Sequence, residues 1–223
     1  MCPYSQFEKG TVQFCEADLC SWIVHPADTV SNVGYLLVGL YLLKRDKRLA
    51  IAALAVALGS TAFHATNTFI GEFLDVSAMF MFSGFLIAKN LGRLGVKHEG
   101  PIHALIVLGS SLTLFLNHPI GIKLFTYHVI AAALLEGIIW IKERRARTFY
   151  EFDRKIIFST AINYKPLLAL VMVFAASYIL WWVDQLGLVC NPNNHYFTWH
   201  SVWHLLNASA FYYAYLFYKG LPR

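Results

Sequence analysis

Seven apolar stretches, each close to the length needed to cross a bilayer, leave this chain few folds to choose from. They run near Asp28 to Leu43, Leu49 to Thr66, Gly71 to Leu91, Pro101 to Leu116, Ile120 to Ile141, Pro166 to Asp184 and Thr198 to Phe217. A hydrocarbon core of about 30 Å takes about 20 apolar residues of helix, and tilt or snorkelling ends tolerate fewer. The breaks between them carry turn and helix-boundary residues, as in Lys44-Arg45-Asp46-Lys47, Asn117-His118-Pro119 and Cys190-Asn191-Pro192-Asn193-Asn194. With 57% hydrophobic and 14% charged residues, the composition suits a bilayer rather than water. The reading is an all-α, polytopic integral membrane protein built as a seven-helix bundle.

Charge orients that bundle. Of 18 Lys and Arg, all but Lys9 and Lys123 fall on the side reached after helices one, three and five and at the C-terminus. By the positive-inside rule the N-terminus faces out and the C-terminus faces the cytoplasm. Residues 1–27 mix Glu8, Glu16 and Asp18 with scattered aromatics and lack the basic start and apolar run of a signal peptide. The expected organisation is an outer segment over 1–27, a seven-span catalytic domain over 28–217 and a cytoplasmic tail over 218–223. The net charge of +5 then reads as topology signal touching lipid headgroups, not as a nucleic-acid footprint. Nothing points to an obligate protein partner.

Against this apolar background a few polar residues stand out, because hydrocarbon makes them costly. Ser60 and His64, and then His200 and His204, are each four apart, so each pair projects from one helix face. Ser60 and His64 fall within about 10 Å of the outer end of their helix at 1.5 Å per residue. Asp75 opens the next helix downward, and His200 and His204 occupy the first two turns of the last one. Three helices thus deliver polar groups to one layer near the outer surface. His103 and His128 fall at other depths, and His25, His98, His118 and His195 in loops or interfaces.

Three imidazoles with an open fourth position match a catalytic zinc site. His64, His200 and His204 are the expected ligands; iron or manganese would accept the same donors, and interhelical hydrogen bonding is the alternative without metal. Asp75 suits a general acid/base acting on water activated by the metal, or a carboxylate fixing a histidine tautomer. Ser60 suits either a donor to a developing oxyanion or a bond to a carbonyl of its own helix. Asp184 and Asn32 are candidates to support the site or to cap and join helices. The run Met79, Phe80, Met81, Phe82 and Phe85 reads as packing surface before acyl groove. A haem protein or a metal-containing receptor would use the same kind of bundle, although haem wants facing axial ligands.

The order Ser-x-x-x-His, Asp, then His-x-x-x-His across seven helices resembles the CREST superfamily of membrane hydrolases, in particular alkaline ceramidases and their bacterial relatives. Cys15-Glu16 followed by Thr29-Val30-Ser31-Asn32, and Trp203-His204-Leu205-Leu206-Asn207-Ala208, carry the likeness to both ends of the chain. The resemblance implies an intramembrane zinc amidase that splits ceramide-like lipids into a sphingoid base and a fatty acid. It implies zinc on His64, His200 and His204, proton transfer by Asp75 and transition-state support by Ser60, with hydrolysis of another N-acyl or ester lipid as the alternative. The family's outer calcium pattern has Asp-Trp-Cys-Glu-x-Asn, where this chain reads Gln13-Phe14-Cys15-Glu16-Ala17-Asp18, and His25 stands near the position of a later Glu. Glu16 and Asp18 are then either calcium ligands or a solvated acidic segment. All four cysteines lie on the expected outer side, where disulfides form. The resemblance suggests Cys15 with Cys190; Cys2 with Cys20, or reduced thiols, are the remaining readings.

Overall fold

The computed structural model describes the backbone of residues 1–152 and 162–221, with side chains of the long sixth helix described as far as Arg144. Arg145, Arg147, Arg154, Lys155 and Arg223, which contribute to the charge asymmetry, lie outside the described residues or side chains. Among the described residues eight helices follow one another: α1 (Pro26–Ser31), α2 (Val33–Leu42), α3 (Lys47–Thr66), α4 (Phe69–Arg93), α5 (Glu99–Leu116), α6 (His118–Phe152), α7 (Lys165–Gln185) and α8 (Trp199–Lys219). Among the described residues there is no strand, only an isolated bridge between Lys9 and Thr68.

The first expected helix is two helices in succession. Ser31 Oγ donates to the Asp28 carbonyl at 2.8 Å, and Asn32 Nδ2 donates to the same carbonyl at 3.0 Å. Side chains that take main-chain acceptors compete with the helix ladder, and α1 gives way to α2 at Asn32. The other starts follow local chemistry. Asp46 accepts from the amides of Arg48 and Leu49, Thr68 from that of Gly71, and Thr198 and Ser201 form a reciprocal capping box. Asn67, in the left-handed region at φ 46°, ends α3 and turns the chain into α4.

Among the described residues five helices are long and apolar enough to cross a membrane: α3, α4, α5, α6 over His118–Arg144, and α7. They divide into two kinds. On α3 and α4 more than half of the most apolar stretch is buried in protein, whereas α5, α6 and α7 turn side chains such as Leu105, Leu112, Leu134 and Val171 outward. An apolar exterior of that kind is what lipid selects. α8 is 21 residues long but interrupts its apolar face with His200, Ser201, His204 and Asn207, all buried against other helices.

Small residues set the close packing of the central pair. A Cβ on Gly59 would lie 2.8 Å from the Leu74 carbonyl oxygen and 3.0 Å from the Asp75 nitrogen, so α3 and α4 touch backbone to backbone there. That approach brings Asp75 beside the turn carrying Ser60. Alanines of α3 and α8, with Leu42, Leu49, Phe85 and a Phe82–Phe211 stack at 4.1 Å, fill the core below.

Two disulfides bind the N-terminal segment. Cys15 pairs with Cys190, as the resemblance suggests, and Cys2 pairs with Cys20. The first joins the segment to the loop before α8, the second closes it on itself.

Candidate metal centre

The C-terminal part of α3 and the N-terminal part of α8 meet at one end of the bundle. There His64, His200 and His204 present ligand nitrogens that all lie within 4.8 Å of one another, and all three side chains are buried. The Nε2 atoms of His64 and His200 are 3.3 Å apart. Two neutral imidazoles facing each other through the same nitrogen can bond only if one of them holds its proton there, while a cation would satisfy both lone pairs. With Zn–N bonds of about 2.0–2.1 Å, two ligands of a tetrahedral site stand about 3.3–3.4 Å apart, so the observed separation fits such a site. Among the described residues this is the one group of His, Cys, Asp or Glu that could hold a metal.

One ring is held by its other nitrogen, a second faces a carboxylate there, and the outer nitrogen of His200 has no partner among the described residues. Ser31 Oγ lies 2.6 Å from His204 Nδ1, which leaves Nε2 of that ring facing the cluster, 3.2 Å from Ser60 Oγ. Asp28, fully buried, accepts from Thr198 Oγ1 at 2.5 Å through Oδ1, and its Oδ2 stands 3.8 Å from His64 Nδ1. That gap is beyond a hydrogen bond, and both facing atoms lack a partner among the described residues. A carboxylate aimed at the outer nitrogen of a ligating histidine is the usual support of a metal ligand. Asp184 acts on the backbone instead, accepting from the amides of His200 at 3.3 Å and Cys15 at 2.9 Å.

Aromatic rings cover the cluster. Phe14 lies 4.1 Å from the His200 ring and 4.9 Å from the His64 ring between centroids, and Trp203 stacks on His200 at 4.8 Å. Cys15, next to Phe14, is tied to Cys190, so the disulfide fixes the segment that covers the histidines.

Of the expected site residues, Ser60 thus joins the triad directly. Asp75 is buried on α4 beside Gly59, and Tyr35 packs edge-on against His204 at 6.0 Å. Asn32 joins α1 to α2, one of its two expected roles. Phe80, Phe82 and Phe85 are buried packing, while Met79 and Phe82 also border a narrow cleft with Tyr35, Trp203 and Asn207.

Glu16 and Asp18 are engaged by protein groups. Glu16 is buried, accepts from the amides of Ala27 and Asp28 at the start of α1, and meets His195 Nδ1 at 3.0 Å. Asp18 accepts from Lys9 Nζ at 2.8 Å and Asn67 Nδ2 at 2.9 Å, and meets His25 Nε2 at 2.8 Å. Partial burial pushes the Asp18 carboxyl up, but the Lys9 and His25 contacts outweigh it and hold it below its ordinary value. Both carboxylates thus spend oxygens on protein groups.

The remaining histidines show what a structural histidine looks like in this bundle. His128 lies between Ser83 Oγ at 3.0 Å and Ser110 Oγ at 3.2 Å, and His103 bonds the Met81 carbonyl at 2.9 Å. Sequence reasoning missed Asp28 and Thr198 as supports of the triad and Phe14 as its cover. It also missed Glu72, which is fully buried and accepts from Thr11 N at 2.5 Å and Thr11 Oγ1 at 2.8 Å beside His118. The available signal was an i, i+3 Asp28–Ser31 pair placed inside an apolar stretch.

A profile of the family described as Ceramidase matches residues 7–222, nearly the whole chain. Comparison with curated proteins finds no match.

Proposed function

The chain belongs to the Ceramidase family, and on that basis we propose that it hydrolyses the N-acyl bond of ceramide-like lipids, yielding a sphingoid base and a fatty acid, at a zinc centre held by His64, His200 and His204. The observation that carries this reading is the buried convergence of three imidazoles, with two Nε2 atoms 3.3 Å apart, Ser31 at the outer nitrogen of His204 and the Asp28 carboxylate facing that of His64. Zinc in such a site would polarise an amide carbonyl and make a water it holds acidic near neutral pH.

The chain's own residues supply the rest. Asp75 takes the proton from the attacking water and passes it to the amide nitrogen, so that the amine leaves neutral. Ser60 Oγ, beside His204, donates to the carbonyl oxygen as that oxygen gains charge. Phe14 and Trp203 keep bulk water from the histidines, which strengthens each of these interactions.

In the membrane, α1 and α2 together form the first span, α3 to α7 the next five and α8 the seventh. Residues 1–27 then form an outer segment, 28–217 the catalytic bundle and 218–223 a cytoplasmic tail, and the bias of the basic residues supports a site toward the extracytoplasmic side.

The test is purification in detergent, metal quantification and incubation with a panel of acyl-labelled ceramides. Equimolar zinc and release of labelled fatty acid by the native protein, with both lost in His204→Ala and only the release lost in Asp75→Asn, is the expected result. Release from other N-acyl or ester lipids but not from ceramides would move the substrate. Zinc without turnover on any of them would identify a metal-containing receptor.

A further inference from the structure

At the end of the bundle away from the histidines, the cations fall into two groups. Arg48 and Lys89 share Glu99, and Arg93 holds Glu136 and Glu143, so carboxylates meet the positive charge of these three. Lys44, Arg45 and Lys219, at the ends of α2 and α8, are exposed and have no carboxylate partner among the described residues. The acid next to them in sequence, Asp46, accepts through Oδ1 from the amides of Arg48 and Leu49 at the start of α3.

The packing of α2 on α8 brings these unpaired charges to one corner. A Cβ on Gly34 would lie 3.0 Å from Leu205 Cδ2 and 3.3 Å from Ala208 Cβ, and the rings of Tyr41 and Tyr212 meet edge-on with centroids 5.7 Å apart. From the first contact to the second both helices advance seven residues (41 − 34 and 212 − 205), so α2 and α8 run side by side in the same direction. Ala208, Tyr212, Tyr215 and Lys219, spaced by four, three and four, share one face of α8. That face meets α2 at Ala208 and Tyr212 and continues to Lys219 beyond the end of α2 at Leu42.

Aromatic rings hold two of the cations there. The guanidinium carbon of Arg45 lies 3.8 Å from the centre of the Tyr41 ring, and its Nη1 donates to the Tyr41 carbonyl at 2.6 Å. Lys219 Nζ stands 5.4 Å from the centre of the Tyr215 ring. Tyr41 sits at the level of Tyr212, and Tyr215 is three residues, about 4.5 Å, further along α8. The two cations therefore stand at neighbouring levels of one groove. Leu37, one turn before Tyr41 on the same face of α2, is 61% exposed and continues the groove as apolar surface.

We propose that this corner is a binding site for an anionic phospholipid, whose phosphate is held by Arg45 and Lys219 with Lys44 beside them, while an acyl chain lies along the Leu37 face of α2. The remaining guanidinium donors of Arg45 match phosphate oxygens in geometry. Tyrosines at the end of an apolar helix surface suit the depth of a lipid headgroup, and unpaired cations there draw anionic lipids. Apolar surface leading up to the charges makes the occupant a lipid and not a free anion. The site is independent of the proposed hydrolysis.

The test places the full chain in nanodiscs of mixed phosphatidylcholine and phosphatidylglycerol and counts the lipids it retains by native mass spectrometry. The expected result is retention of phosphatidylglycerol about tenfold or more over phosphatidylcholine, a preference lost when Arg45→Gln and Lys219→Gln are combined. Lys97→Gln removes an exposed cation from the α4–α5 loop and should leave the preference unchanged, as should an excess of inorganic phosphate. Equal retention of the two lipids, an equal loss in Lys97→Gln, or displacement by inorganic phosphate overturns the proposal. Should the double variant fail to fold, Tyr41→Leu decides it: this change removes the ring under Arg45 without altering charge, and an unchanged preference overturns the proposal.

Discussion

The two ends of the α4–α8 bundle bury polar groups in opposite ways. At the Arg93 end, charge meets charge: one guanidinium holds Glu136 and Glu143, and Tyr164 completes the network. At the His64 end, Ser31 holds one ring from outside while the nitrogens of the three rings turn toward each other. The first arrangement nearly satisfies itself; the second gathers nitrogens that could hold a cation. Breaking the ion-paired network should therefore show in stability, and breaking the cluster of imidazoles in the proposed metal binding.

The largest break in that contrast is His204→Ala. It removes one of the three proposed ligands and leaves the ion-paired end untouched, so hydrolysis should fall to background and zinc below stoichiometric, with the helical fold retained by circular dichroism. Retained zinc with retained turnover would place the chemistry elsewhere. The converse variant, Arg93→Met, strands two carboxylates on α6. Breaking a buried pair costs about 3–5 kcal/mol, so thermal stability in detergent should drop sharply while the surviving folded fraction keeps its zinc. Loss of zinc at unchanged stability would erase the distinction between the ends.

A smaller effect sharpens it. Asp28→Asn keeps the shape and the Thr198 contact but removes the charge facing His64. Outer partners of this kind are worth about 10–100-fold in metal affinity, about 1.4–2.8 kcal/mol. Zinc competition against a chelator should show that loss, and excess zinc should restore turnover. A variant that excess zinc cannot rescue would make Asp28 part of the chemistry instead of the support.

The triad was legible in the sequence because four-residue spacing is a property of the helix itself, and charge bias gave the helices a common depth scale. Whatever depended on one segment lying across another was not. Asp28 reads as the start of an apolar span, and only the placement of α1 against α3 and α8 turns its carboxylate toward His64. Glu16 reads as acid in a polar segment, yet it is buried as the acceptor at the start of α1 and binds His195. The break at Asn32 is invisible to hydropathy, since side-chain donors to the Asp28 carbonyl leave the apolar pattern unchanged. Cys15 with Cys190 came from family likeness, because spacing in a sequence does not choose among pairings.

The smallest effect tests how firmly the covering segment is held. Asp18 ties it to Lys9, His25 and Asn67, and its carboxyl is held below the ordinary value of 3.8. A lowered carboxylate pKa adds stability that is full above the unfolded value and disappears as pH falls through the lower folded one. The contribution should therefore be constant from neutral pH to about pH 5 and decline below about pH 4. Asp18→Asn should make the segment more open to limited proteolysis at neutral pH, and native and variant proteins should converge under acid. Because Asp18 is partly exposed, solvent screens the pair and the difference should be slight. A difference that persists unchanged below pH 3 would mean that Asn67 and the shape of the turn, not the charge of Asp18, hold the cover over the histidines.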